Sequence, residues 1–513
     1  MDFKLNRENL TCSAVILDTD VTQAAEYDFI LPDYCPDIFR VLKCCIIPGI
    51  VSTGINGNRL TFELSVTIRV IYRSDEGSAV SCIEQSLDYS KTVDLPSDTL
   101  NPAVTVTPDV EYVNCRVVNQ RRLDVKGNIN CKVRVTGEKN CEVVSDAFGG
   151  GIQLKKIPVV FPAKRVTAAK RITVIEELEL AAGKAPLGSI IRCCAAVKCG
   201  EQKIIPGKLV TKGNADIDLL YLPKDSSDKP PEAMKFSIPF SQIIDIDGIE
   251  EGYDTDVNIT AAKCTITAKP DESDTLECEL IMLVNITAMR FDTCELVTDA
   301  YSTKYECECE KLDVSPMSEP LKIRQPLSLA ASLSCSDGEI TQVYDLWCEN
   351  PTTSCRYDDV KEKLIVYGKA MFCMLGRLSD GTAAYSEKEC AYEQELEADC
   401  SGYGKNTFIP EIRITGCSYT MGEDGTVQAK AEAEILGNIR RDMTAALLGS
   451  VRLCTDKLKS CDKRCAVKIC YSDTEEDIWS IAKKYSTSAQ AIREENDFDD
   501  NNGRRVLIIP MKN

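Results

Sequence analysis

The chain has 513 residues, 44% of them hydrophobic and 27% charged, a globular composition spread over more length than one core organises, so several domains are expected. Eighty acidic against sixty basic side chains leave a net charge of −20, a field that repels phosphate backbones and argues against a nucleic-acid partner. There is no histidine, which removes the commonest general base and metal ligand and counts against an enzyme.

At the start, residues 1–15 mix Lys4, Arg7 and Glu8 with polar positions and lack the apolar core of a secretory signal. No apolar run approaches the roughly eighteen residues that cross a bilayer as a helix. The expectation is a cytosolic chain without a transmembrane span. Its 27 cysteines are scattered and odd in number, which reads as reduced thiols rather than a disulfide framework. Asp33 and Asp37 flank Pro36 and read as turn chemistry rather than as a carboxylate pair.

The first clear element runs from Leu60 through Phe62, Leu64, Val66, Ile68, Val70 and Tyr72, with polar residues at most positions between. Period-two alternation of this kind predicts a strand with one buried face. A second strand is predicted over Leu123, Val125, Gly127, Ile129, Cys131, Val133 and Val135. The pair then returns twice, as Leu209–Tyr221 with Leu276–Ile286 and as Leu364–Met374 with Val427–Ile435. Spacings within and between the three pairs are nearly constant, which marks one design repeated. Upstream of each pair lies an echo: Pro36, Asp37, Ile38 and Val41, then Pro186, Gly188 and Ile191, then Glu339, Ile340 and Val343 without the proline. Repeats of this length are whole domains. The predicted fold class is mainly β: three tandem antiparallel, sandwich-like domains at 1–165, 166–315 and 316–452. Cys131 and Cys278 fall on the buried register, where a free thiol acts as a small hydrophobe.

A short basic tether is predicted over 453–465, followed by a small module at 466–513. Val467–Tyr471 reads as a strand, and Asp477 caps a helix whose Ile478, Ile481, Ala482 and Tyr485 share a face. Ser488 caps a second helix, and Gly503 turns the chain into a closing strand, Val506–Ile509.

On the Leu31-Pro32 and Pro36-Asp37-Ile38 segment and the paired strands, the repeats resemble the SPOCS domain of endospore-forming bacteria. The run Ile478–Tyr485, with Asn496 and Gly503–Pro510, makes the βααβ module similar to a LysM domain, although Glu475, Glu476 and Asp477 stand where that family usually has Gly-Asp-Thr. The resemblance implies a scaffold of spore coat assembly on the mother-cell side of the forespore, with a coat basement-layer ATPase and other coat proteins as partners and no cofactor. It also implies a groove between the loops flanking the two helices, and the candidate partner-binding residues are Asp473, Glu475, Glu476, Asp477, Trp479, Asn496, Asp497 and Asp499. A rim this acidic suits a basic protein surface better than a neutral glycan; the alternatives are peptidoglycan, an N-acetylglucosamine polymer, as the ligand, or acids that only dress helix ends. Trp479 reads as an anchor or as cover for a small core. Cys454, Cys461, Cys465 and Cys470 lack the paired spacing of a zinc site, and Cys307 and Cys309 would face the same side of a strand.

Overall fold

The structure is a computed structural model that describes residues 3–74, 80–96, 100–224, 230–269, 274–314, 320–398, 408–439, 445–459, 465–473, 477–496 and 504–511. The side chains of residues 13, 350, 472, 473, 504 and 505 are not among those described.

Strands dominate, and they come in three runs of one plan. The first is β1 (Lys4–Ile30), β2 (Ile38–Asn56), β3 (Arg59–Ser74), β4 (Val80–Asp94), β5 (Leu100–Asn119) and β6 (Arg122–Phe148). The second is β7 (Ile152–Glu179), β8 (Leu187–Ile205), β9 (Lys208–Pro223), β10 (Glu232–Asp245), β11 (Asp254–Ala268) and β12 (Thr275–Ser302). In the third the outer strands are each in two pieces: β13 (Tyr305–Val314), β14 (Leu321–Leu333), β15 (Ile340–Asp358), β16 (Lys363–Leu378), β17 (Ala383–Glu395), β18 (Glu411–Met421), β19 (Val427–Ile439) and β20 (Ala445–Leu458).

Each run builds two three-stranded antiparallel sheets, β1-β6-β5 with β2-β3-β4, β11-β12-β7 with β10-β9-β8, and β14-β19-β18 with β15-β16-β17. The alternating strands of the sequence are the central strand of every sheet. Their apolar positions meet between the sheets: Leu60, Phe62, Leu64, Val66 and Ile68 of β3 share a core with Leu123, Val125, Ile129, Cys131 and Val133 of β6. The other two runs repeat that core. Cys131 lies in the first of these cores and Cys278 in the second, both fully buried.

Strands β1, β6, β7 and β12 are 27 or 28 residues long, far beyond the roughly 5–6 residues that are typical. Only one half of each serves a sandwich. Register shifts at Val15/Leu17 and at Arg290/Phe291 mark the change, as expected of bulges, which bend a ribbon and increase its twist. Beyond them the ribbons β1/β6 and β7/β12, with the pair β13/β20, converge on a second core of Leu10, Val143, Val159, Leu296, Val314 and Leu447.

The three sandwiches also meet one another, β4 against β8, β10 against β15 and β17 against β2. These contacts are head-to-tail and close into a ring. At its centre, Ile71, Leu220 and Leu375, which occupy the same position in the three runs, cluster with Ile191, Trp347 and Cys373. Charge is threaded through this centre: Lys43 pairs with Glu349, Arg192 Nη1 lies 3.0 Å from Asp345 Oδ2, and Trp347 is flanked by the Arg192 guanidinium at 5.0 Å and the Lys43 ammonium at 5.9 Å. Lys43, Arg192 and Asp345 also share one repeat position, opposite Ile71, Leu220 and Leu375.

The ribbons move the boundaries. The chain turns between runs at Gly149–Gly151, all with positive φ, so the junction expected at 165/166 lies inside β7. The junction expected at 315/316 gives way to a turn at 303–304, because β13 already pairs with β20 of the third run. Residues 453–458 of the expected tether are strand, with Leu458 opposite Tyr305. In each case the sequence lacks a break because the outer half of the ribbon pairs with a strand far away in the chain.

Close approach of the first two runs depends on Gly49, where a Cβ would sit 1.9 Å from the Ala262 carbonyl oxygen. Gly49→Ala is expected to lower the thermal unfolding midpoint by several degrees, the cost of overpacking being about 1–3 kcal/mol; an unchanged midpoint would mean that β2 and β11 are not seated so closely.

Candidate functional site

The C-terminal segment forms a separate βααβ module: β21 (Val467–Asp473), α1 (Ile478–Tyr485), α2 (Ala489–Glu494) and β22 (Arg504–Pro510), with β21 and β22 paired antiparallel. Asp477 caps α1 by accepting from the Trp479 N–H, and Ser488 caps α2 by accepting from the Ala491 N–H at 3.1 Å. Ser486, at φ 53°, stops α1 in the left-handed region. Ile481, Ala482, Ile492, Leu507 and Ile509 make the small core.

The candidate residues divide. Asn496 is structural: its amide donates to the Ile492 and Ile508 carbonyls and its oxygen accepts from the Ile508 N–H at 2.7 Å, which ties the closing strand to α2. Trp479 and Asp477 face the body of the protein. Trp479 Nε1 donates to Asp299 Oδ2 at 2.8 Å and its ring packs edge-on to Tyr301, with centroids 4.9 Å apart. Lys483 donates to both Asp299 oxygens, and Lys155 Nζ lies 2.6 Å from Asp477 Oδ2. Tyr301 is 2% exposed and donates to the Thr487 carbonyl at 2.6 Å. The module is thus seated on the far end of the β7/β12 ribbon. Burial would raise the Asp299 carboxyl, but Lys483 and Trp479 hold it below its ordinary value; Lys155 does the same for Asp477. Glu475, Glu476, Asp497 and Asp499 lie outside the described residues, as does the side chain of Asp473.

Sequence reasoning missed the platform. Its signal is a second internal repeat, Asp146-Ala147-Phe148 and Asp299-Ala300-Tyr301, in which each Asp accepts from the following Ala N–H at 2.9 Å. The outer face of the β21/β22 pair was missed as well. Ile469 opposes Ile508 and Tyr471 opposes Val506, and these four with Val467 are all exposed, Ile469 at 65% and Tyr471 at 76%.

Elsewhere, Arg121 reaches Asp37 at 2.6 Å and the Pro32 carbonyl at 2.8 Å, so Asp33 and Asp37 flank a clamped turn. Tyr72 donates to the Pro36 carbonyl and Tyr221 to the Ala185 carbonyl; the third run has Gly376 at that position. Among the described residues no cluster of His, Cys, Asp or Glu could hold a metal ion, and no helix is long and apolar enough to cross a membrane.

Residues 37–118 and 186–269 match the family model described as SipL, SPOCS domain. Both segments are similar to the SPOCS domain. In the structure the matched SPOCS segments cover β2–β5 and β8–β11, which is one whole sheet and the edge strand of the facing one, without the long ribbons. No curated protein and no solved structure matches the chain.

Proposed function

We propose that this protein is a non-enzymatic scaffold of the endospore coat, in which three SPOCS-type sandwiches form a ring and the LysM-type C-terminal module docks the coat basement-layer ATPase on the mother-cell side of the forespore. The matched SPOCS segments carry the reading. The third sandwich counts as a SPOCS-type unit because its strand order, core and ring contacts repeat those of the matched two. A chain without histidine is poorly equipped for acid–base chemistry, and a closed ring with one appended module suits several joined weak sites.

Protein, rather than peptidoglycan, is favoured as the module's ligand by the bare apolar face of β21/β22, on which four aliphatic side chains surround Tyr471. Such a face gains by burial against apolar protein surface, at about 25 cal/mol per Å², and offers a hydroxyl-rich glycan little. Recovery from sporulating-cell lysate, blotted for the ATPase, tests this with the full chain as bait. Ile469→Asp, which changes an exposed side chain, should cut recovery at least about tenfold. Undiminished recovery, or recovery of wall fragments alone, would remove this reading in favour of the glycan.

A further inference from the structure

The two sheets of each sandwich touch along one open edge, where β2 meets β5, β8 meets β11 and β15 meets β18. A cysteine stands on each side of that seam in all three units. Cys193 Sγ lies 3.6 Å from Cys264 Sγ. Cys44 and Cys115 pack against the same core, and their thiols interact closely enough that each shifts the other, Cys44 up and Cys115 down. Cys348 and Cys417 likewise pack against one core, close enough to interact electrostatically. All six are half-buried free thiols at the border of their sandwich cores.

The positions are not identical between units. Cys44 and Cys193 lie opposite equivalent residues, Val70 and Leu219, whereas Cys348 lies opposite Phe372, two residues out of step. Cys264 and Cys417 likewise lie opposite equivalent residues, Leu280 and Ala431, while Cys115 lies opposite Val125. What recurs is the cross-seam pairing rather than any single cysteine position, and filling space with small side chains does not require that.

We propose that Cys44–Cys115, Cys193–Cys264 and Cys348–Cys417 are oxidation sites at which a low-molecular-weight disulfide such as glutathione disulfide forms one inter-sheet bridge per unit. One thiol of the pair loses its proton and attacks the small disulfide, giving a mixed disulfide and releasing one thiol. The second thiol, deprotonated in turn, attacks the protein sulfur of that mixed disulfide, forms the inter-sheet S–S bond and expels the second small thiol. Two protein thiols are oxidised and one small disulfide is reduced to two thiols. The 3.6 Å gap at Cys193–Cys264 exceeds a bonded S–S distance by only about 1.5 Å.

The pairs differ in readiness. Within each of the first two pairs the contact favours one thiolate at the other's expense: Cys193 and Cys115, the first attackers, are held below their ordinary value, while Cys264 and Cys44 are pushed above it. Burial pushes Cys348 up to about 12 and Cys417 up to about 11. Since the thiolate is the attacking form, the first two units should close faster than the third.

The test uses the full chain, purified reduced, incubated natively with glutathione disulfide near neutral pH, quenched by alkylation and mapped by peptide mass spectrometry. The expected result is the three named linkages, with Cys348–Cys417 last, and a rise of about 5–10 °C in the unfolding midpoint. Cys115→Ala, Cys264→Ala and Cys417→Ala should each abolish one linkage and leave its partner carrying glutathione. Thiols that stay free or stop at glutathione adducts in the native wild type, or bridges between other cysteines such as Cys264 and Cys278, whose sulfurs are 3.8 Å apart, would overturn the proposal.

Discussion

Arg192→Ala is expected to destabilise the folded chain by about 3–5 kcal/mol, because it leaves Asp345 as an uncompensated charge between the second and third sandwiches. The side chains of Arg192 and Asp345 are only 14% and 17% exposed. Burial raises the Asp345 carboxyl above its ordinary value even with Arg192 beside it, and Asp218 adds to the rise; Asp345, for its part, helps keep Arg192 charged against the same burial. The pair therefore recovers little of what its desolvation costs, and its loss is felt mainly through the partner left behind. Two consequences follow from the same physics. Replacing both residues with apolar ones of similar size, Arg192→Met with Asp345→Leu, should fall within about 1 kcal/mol of the wild type or be more stable. A carboxyl whose folded value is raised favours the folded state while it is protonated and loses that contribution as pH rises through the folded value. Arg192→Ala should accordingly regain stability on acidification toward the ordinary Asp range. Denaturant unfolding at several pH values measures both. A deficit in the single variant that does not depend on pH would mean that lost packing on Trp347, and not stranded charge, is the cause.

Tyr301→Ala is expected to detach the C-terminal module while leaving the ring folded. The substitution removes a buried aromatic, its hydrogen bond to Thr487 and the edge that Trp479 packs against, a loss of about 3 kcal/mol. That corresponds to a roughly 100-fold larger open fraction. Because local opening governs cleavage, limited proteolysis that releases the module should accelerate to match, while the global unfolding midpoint of the ring moves little. Acid should mimic the variant in the wild type. The depressed carboxyls of Asp299 and Asp477 support docking above the ordinary Asp value, and this support is lost as pH falls through their lower folded values. Trp479 emission reports the release, since the other tryptophan, Trp347, is buried at the ring centre. An acceleration no greater than a few-fold would show that the module is held by its tether rather than by the ribbon.

The sequence disclosed what depends on local periodicity. Leu60–Tyr72 and Leu123–Val135 alternate because each lies at the middle of a sheet with one face in a core, and Asp477 and Ser488 were legible as caps because capping is a local chemistry. Long-range pairing was not legible. The outer halves of β1, β6, β7 and β12 lie on ribbons where burial is shared with distant strands, so their alternation is weak and the turns at Gly149–Gly151 and 303–304 left no mark in the sequence pattern. Trp479 was open to two readings because its partners, Asp299 and Tyr301, come from a unit far away in the chain. Lys43, Arg192 and Asp345 differ in charge at one repeat position, and only the closed ring explains why a basic residue in two copies is answered by an acid in the third.

Calorimetric titration of the full chain with purified coat basement-layer ATPase, and separately with N-acetylglucosamine oligomers, decides whether the C-terminal module recognises protein or glycan. A protein-docking module should give saturable heat from the ATPase, lost with Ile469→Asp, and none from the oligomers. Saturable heat from the oligomers with none from the ATPase would contradict the protein reading.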